Sequence, residues 1–289
     1  MNAACRWLAA AVLPLVASCV MLTEHPRALV AEPAGVAVRT LDCADAARAA
    51  RGATADARRD GALDGSAIRI VTWNIHKQAD GGWDRDLARF AGDADVVLLQ
   101  EVALQGALPD ILHAAGLSWV MASSFIYRDA DIGVLSAARV APVAACTLRA
   151  KEPLIQLPKS AVVTWYRLPA TGRTLAVANL HSINFALTLG AYEEQLASLA
   201  DALAAHDGPI VLGGDLNTWT DARADAVRAI ATRLRLVEIP LADDLRTRFL
   251  GQQVDHLLVR GVDVVSTHVI AVTSSDHNPV AAVLRLRLP

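Results

Sequence analysis

The sequence predicts a layered α/β or α+β domain beginning near residue 67, on three observations. From Ile68 onward, short runs rich in Val, Ile and Leu alternate with helical stretches all the way to the C-terminus. One long segment, Thr188 to His206, repeats Leu189, Tyr192, Leu196, Leu199 and Leu203 at helical spacing and so carries a single apolar face. The 289-residue chain is 54% hydrophobic and 20% charged, which allows a sizeable core and excludes a disordered tail or linker. Many strands with helices between them bury their apolar faces by stacking in layers.

The elements follow in chain order. Residues 1–18 read as a signal peptide: Arg6 supplies a short positive region, Trp7 to Val16 an apolar run, and Ala17-Ser18-Cys19 small residues at a cleavage position. The apolar stretch from Trp7 to Leu22 is shorter than the roughly 20 residues that cross a bilayer, and Pro14 interrupts it. Val16-Ala17-Ser18-Cys19 resembles a bacterial lipobox, so a lipid on Cys19 is expected to hold the protein to a membrane in the cell envelope, facing the periplasm. Ordinary secretion and a retained anchor are the alternatives. Of the four cysteines this leaves Cys43 and Cys146, either a disulfide in an oxidising compartment or two unrelated thiols.

Residues 19–66 are rich in Ala, Arg, Asp and Gly without a sustained apolar period and read as an N-terminal tether, with a surface helix from Cys43 to Asp60. Strands are expected at Ile68–Trp73, Asp95–Leu99, Ile132–Leu135, Ala161–Tyr166, Thr174–Asn179, Pro209–Leu212, Val254–Val259, Asp263–Val269 and Val280–Leu288. A second helix, Asp221 to Leu234, is marked by Val227, Ile230 and Leu234.

The strand runs end in polar clusters. Ile-Arg-Ile-Val-Thr-Trp runs into Asn74, Val-Val-Leu-Leu into Gln100-Glu101, Leu-Ala-Val-Ala into Asn179-Leu180-His181, and Ile-Val-Leu-Gly-Gly into Asp215-Leu216-Asn217. Asp255 opens another run, and Ser275-Asp276-His277-Asn278-Pro279 precedes the last. Each alone fits an ordinary turn or strand end. Together they place carboxylate, amide and imidazole groups on rigid elements, without thiolates, as suits a hard cation such as Mg²⁺ or Mn²⁺.

In this order the six blocks resemble the endonuclease/exonuclease/phosphatase superfamily of DNase I-like fold, from Ile68 to the C-terminus. Within it, residues 73–78, 149–161 and 179–187 look like a YafD-like bacterial branch, which does not require a leader and so adds a cytoplasmic enzyme as an alternative location. The resemblance implies an α+β, four-layer α/β/β/α sandwich of two mixed β-sheets packed face to face, with residues 67–289 as the catalytic domain. It implies Glu101 as principal metal ligand, Asn74 beside it on metal or phosphate, and Asp276 completing the metal shell or a second site. It further implies Asp215 and Asn217 orienting the attacking water, His277 paired with Asp255 as base or phosphate-oriented imidazole, and His181 on the phosphoryl oxygens or the leaving group. The chemistry agrees: hydrolysing a phosphate ester needs charge neutralised on the non-bridging oxygens and a water delivered in line. Lys77, Lys159, Arg246 and Arg248 are further candidates for substrate phosphate, and Trp219 for stacking on a base or sugar, while His76 and His256 read as structural.

Composition bears on the substrate. Without Arg6 the balance is 26 basic against 30 acidic residues, and aromatic content is 4%. Neither suits a tight nucleic-acid binder. A low-affinity nuclease on DNA or RNA, or an envelope phosphodiesterase or phosphatase on lipid headgroups or small nucleotides, fits better. The alternative class is a catalytically silent, lipid-anchored binding or scaffold lipoprotein, opposed by a competent residue at every position carried over.

Overall fold

The computed structural model describes residues 20–53, 61–169, 171–186 and 188–287. The signal peptide and Cys19 lie outside the described residues, as do positions 54–60 of the expected surface helix.

The described chain joins the sheet at once, through β1 (Val20–Met21), β2 (Arg27–Glu32) and β3 (Gly35–Arg39). From Ile68 come β4 (Ile68–Asn74), β5 (Val96–Ala103), β6 (Ser118–Tyr127), β7 (Ala130–Ala138), β8 (Ala144–Lys151), β9 (Pro158–Leu168), β10 (Arg173–His181) and β11 (Ile210–Asp215). The C-terminal part adds short strands β12 (Val237–Glu238), β13 (Arg248–Phe249) and β14 (Gln252–Gln253), then β15 (Asp255–Arg260), β16 (Val262–Val269) and β17 (Val280–Leu286).

These strands form two large mixed sheets. The nine-stranded one runs β16-β17-β4-β5-β7-β6-β2-β3 with β1 added on β6; the six-stranded one runs β12-β15-β11-β10-β9-β8. Within each large sheet one neighbouring pair is parallel, β4 with β5 and β10 with β11. Between the sheets lies a core of Ile68, Ile70, Val96 and Leu98 from one and Val177, Val211, Leu257 and Val259 from the other. Strands buried on both faces read as continuous apolar runs, which is why most were visible in the sequence.

Helices cover the outer faces. Trp83–Asp93 and Leu108–Ala114 pack Leu87, Phe90, Leu108 and Leu112 on the larger sheet. Gly190–Ala204 and Asp221–Leu234 cover the smaller one with Tyr192, Leu196, Leu199, Val227 and Ile230. The four α/β/β/α layers are those the resemblance implies.

Residues 20–52 correct the tether expectation. β2 pairs with both β3 and β6, and Ala28 and Leu29 are buried. The helix Cys43–Gly52, capped by Asp42 accepting from Ala44 N and Asp45 N, packs Ala46 and Ala50 on the smaller sheet. Small buried residues beside exposed charges leave no apolar period to read, although each buries enough to dock. A Cys43–Cys146 disulfide spans 103 residues and ties this helix to β8. Replacing both cysteines with alanine is expected to cost about 2–5 kcal/mol, seen as an earlier midpoint in urea. An unchanged midpoint would mean that packing alone holds the helix.

Candidate active site

Strand register gathers the polar clusters at one end of the sandwich. His181 lies opposite Asp215 across the parallel β10–β11 pair, and Asp215 opposite Asp255 across β11–β15. In the larger sheet Asn74 lies opposite Gln100, and Val280 opposite Thr72, so the turn before β17 brings His277 to the same end. Gly214 makes the approach possible: its φ is +141°, and a Cβ there would meet Leu180 O at 1.9 Å. The strand before Asp215 therefore carries glycine for a steric reason.

Asp215 is the hub. Its Oδ2 accepts from Asn74 Nδ2 at 3.0 Å and lies 3.5 Å from His181 Nε2 and 3.9 Å from His277 Nε2; its Oδ1 accepts from Asn217 N at 3.1 Å. His277 Nδ1 donates to Asp255, with Oδ2 at 2.8 Å, which leaves Nε2 free to face the cleft. Trp73 Nε1 donates to His277 O and Ser275 Oγ to Asn74 O, locking this turn to β4. Asn217 Nδ2 donates to Ser182 O at 3.1 Å, closing the loop after β11 onto β10.

Glu101 stands at a bulge. Pairing of β5 with β7 shifts register between Leu99 and Val102, and Glu101 has φ +51°. Such irregularities re-aim a side chain next to active sites. His76, Lys77 and Gln78 all have positive φ, and Gln78 pins that turn by bonding Ala103 through both its amide atoms. The turn sets Lys77 in an ion pair with Glu101. On the other side Lys159 Nζ donates to His181 Nε2 at 2.8 Å and lies 3.9 Å from Glu101, which is itself 3.7 Å from His181.

The electrostatics separate the two histidines. Burial pulls the His277 pKa down, but the Asp255 charge and hydrogen bond, with Asp215 and Asp276 behind them, raise it to about 10. Burial lowers His181, and Lys159 beside it adds to the fall, to about 4 against the pull of Asp215 and Glu101. Burial raises Glu101, yet His181, Lys77 and Lys159 outweigh it and bring it to about 2. At neutral pH the end therefore presents an imidazolium at 277, a neutral imidazole at 181 and a carboxylate at 101.

Residues 71–277 match the Endonuclease/Exonuclease/phosphatase family. The chain belongs to that family. A UPF0294 protein of Klebsiella pneumoniae (strain 342) is 37% identical over 215 residues, which is 73% of this chain and 80% of the relative. Among solved structures, the family protein from Beutenbergia cavernae is similar at TM-score 0.59 and 20% identity over 76% of this chain and 72% of its own. The human Nocturnin catalytic domain gives 0.61 and 16% over 78% and 96%. ANGEL2, described as a 2',3'-cyclic phosphatase, gives 0.60 and 14% over 79% and 97%. At these identities the likeness shows the DNase I-like fold.

Within this member of the family some sequence candidates stand apart from the centre. Asp276 turns outward: its side chain is 58% exposed and lies 3.8 Å from His76 Nδ1, though its charge still adds to the rise in the His277 pKa. Ser275 anchors inward on Asn74, so the next residue in the turn faces solvent. Arg246 is not offered to substrate; it is buried on Asp244, Glu238 and the Asp255 carbonyl and braces the start of β15. Arg248 donates to Gly251 O within its own hairpin. Trp219 donates to Asn184 Oδ1 and packs edge-on against Phe249, at the rim and not over the histidines. His76 bonds Asp80, and His256 bonds Thr218 and Glu238, both as structural groups.

Other supporting residues had no role assigned from the sequence, although Gln100 and Asn179 stand in its polar blocks. Gln100 Nε2 donates to Thr72 Oγ1 and Asn179 Oδ1, and Asn179 Nδ2 to the Leu99 and Leu135 carbonyls, a buried amide bridge between the sheets beneath Glu101. Glu152 accepts from the backbone amides of Asn184 and Phe185, while Arg223 donates to the carbonyls of Ile183, Asn184 and Asn217. These clamps hold the loop after His181 from both sides.

The donors fit a hard divalent cation by chemistry: Glu101 and Asp215 supply carboxylates and Asn74 an amide, with no thiolate. Mg²⁺ typically keeps several waters and takes one or two protein carboxylates plus substrate phosphate. Among the described residues no group of three or more His, Cys, Asp or Glu is gathered to enclose a cation. A site of that open, water-rich kind is what these side chains can offer.

Proposed function

We propose that the protein is a metal-dependent phosphoesterase that hydrolyses phosphodiester bonds by attack of water. The observation that carries this reading is the Asp255–His277 pair aimed across one strand register at Asp215, with Lys159–His181 on the other flank. Glu101, with Asn74 beside it, would hold Mg²⁺ or Mn²⁺, and when bound the ion supplies charge neutralisation on the phosphoryl oxygens.

The chain's own groups do the rest. His277, protonated and fixed by Asp255, presents Nε2–H to a non-bridging oxygen, so it stabilises developing negative charge rather than taking a proton. Asp215 Oδ2, facing both imidazoles, accepts a hydrogen bond from the attacking water, orients it and takes its proton as the new P–O bond forms, while the P–O bond to the leaving oxygen breaks. Asn217 holds that carboxylate through its backbone amide. Lys159, donating to His181 Nε2, makes the pair the proton source for the leaving oxygen.

The test is turnover by the full chain with Mg²⁺ or Mn²⁺, with and without EDTA, on duplex DNA, single-stranded DNA, RNA, a 2',3'-cyclic nucleotide, a generic phosphodiester and a generic phosphomonoester. The cyclic nucleotide is included because one structural neighbour is described as acting on that class. Hydrolysis of at least one ester, lost in EDTA and restored by metal, is expected. A folded sample that turns over none of them and binds no Mn²⁺ would leave the lipid-anchored binding protein as the reading.

A further inference from the structure

The large apolar side chains that the fold leaves exposed are unevenly placed. Val36, Val38, Val237 and Val265 lie on the short or edge strands β3, β12 and β16, but the others gather where the site opens. Leu154 and Ile155 form the tip of the β8–β9 hairpin next to Lys159, about half exposed, and Leu154 N donates to the carbonyl of the equally exposed Phe185. Across the mouth, Phe249 and Leu250 top the β13–β14 hairpin just before Asp255, and Leu250 is 73% exposed.

The N-terminal run enters at this same end. β1 pairs Val20 with Tyr127 and Met21 with Ile126, at the end of β6 that lies beside the site. Arg149 ties the following residues down by donating to Thr23 Oγ1 and the Thr23 carbonyl, and Arg149 neighbours Ala150, the register partner of Lys159. The described chain thus begins at the site's end of the sandwich, where Met21 and Leu22 are themselves exposed, and in sequence the apolar stretch from Trp7 leads up to it.

We propose that the site's end is a docking face for a phospholipid bilayer. The Leu154–Ile155–Phe185 patch and the Phe249–Leu250 tip seat at the headgroup–acyl boundary, and the mouth of the site opens onto the headgroups. One membrane signal alone binds marginally, and two together hold; here the N-terminal attachment expected from the sequence, a lipid on Cys19 or the retained apolar run, is the first and the loops are the second. Exposed Lys77, Arg128, Lys151 and Arg248 ring the same face and favour anionic headgroups, with Asp129 and Asp276 among them in part opposition. The docking stands apart from turnover, so it is tested without an activity readout.

The experiment compares the full chain with I155S/F185S/L250S, both reconstituted in vesicles of phosphatidylethanolamine and phosphatidylglycerol and both retaining the N-terminal run, by amide hydrogen exchange. Reporters are unsubstituted amides at the docked end, residues 127–129, 151 and 152; references are residues 32, 34, 35 and 206–208, in turns at the opposite end. The expected result is at least about fivefold slower exchange of the reporters in the native chain than in the variant, with the references equal, which also shows the variant folded. L250S alone replaces the triple variant if the references differ. Equal reporter rates in vesicles would overturn the proposal. So would protection of the native chain that persists in a lipid-free, polymer-solubilised sample, since that result would assign the face to protein contact.

Discussion

Replacing His277 with alanine is expected to lower phosphodiester turnover at pH 7 by about 10²–10³-fold, the range for losing one preorganised donor to developing negative charge. The pH dependence carries the specific content. With its pKa raised to about 10 by Asp255, His277 is charged across the neutral range, and activity should fall only as pH rises toward 10. Asp255→Asn removes the largest upward pull, so the imidazole should titrate far lower, and by NMR its ring resonances should shift between pH 5 and 8. The linked stability has a defined sign. A folded pKa above the unfolded value of 6.5 contributes stability that is complete below pH 6.5 and lost as pH rises through about 10. His277→Ala should therefore cost more stability at pH 6 than at pH 10, and an equal cost at both would contradict the assigned charge.

Substituting Glu101 by glutamine should reduce turnover by about 10²–10³-fold, as for removal of one preorganised electrostatic group. It should also raise the Mn²⁺ concentration needed for half-maximal activity. The change keeps shape and hydrogen-bonding capacity and removes the charge that faces Lys77, Lys159 and His181. With that anion gone, Lys77 loses its ion pair, and its ammonium becomes the nearest cation to an incoming phosphate. If Glu101→Gln retained native turnover and native Mn²⁺ dependence, Glu101 would be a partner for the lysines and not a metal ligand.

How much was legible follows from what each residue answers to. The runs that became β4, β5, β10, β11 and β15 are buried almost throughout, which writes a continuous apolar string into the sequence, while β17 alternates buried and more exposed positions as a half-buried strand does. Their polar ends were equally visible because a polar residue closing an apolar strand interrupts the string. β3 was missed because it is an edge strand with exposed Val36, Val38 and Arg39, and β2 and β8 because half-buried Arg and small residues break up their few apolar positions, so no apolar string forms. β6 is deeply buried but opens Ser-Trp-Val-Met-Ala-Ser-Ser, where small polar residues break the run. Their serines are satisfied only by distant partners: Ser123 by Asp131 and Ser124 by Ser160.

The candidate site divides in the same way. By itself the sequence determined the inventory and its family: six polar blocks in order, a hard-ligand set, two histidines, and glycines before Asp215. Those are local facts, because a residue's chemistry and its place at the end of a run are written where it stands. The tertiary structure alone decided which groups meet. It turned Asp276 outward and His277 inward within one turn, spent Arg246 on Asp244 and Glu238, brought Lys159 to His181, joined Cys43 to Cys146, and paired Val20 and Met21 with the end of β6 beside the site. Each depends on strands far apart in the chain arriving in register, and distance in space leaves no mark on the residues between.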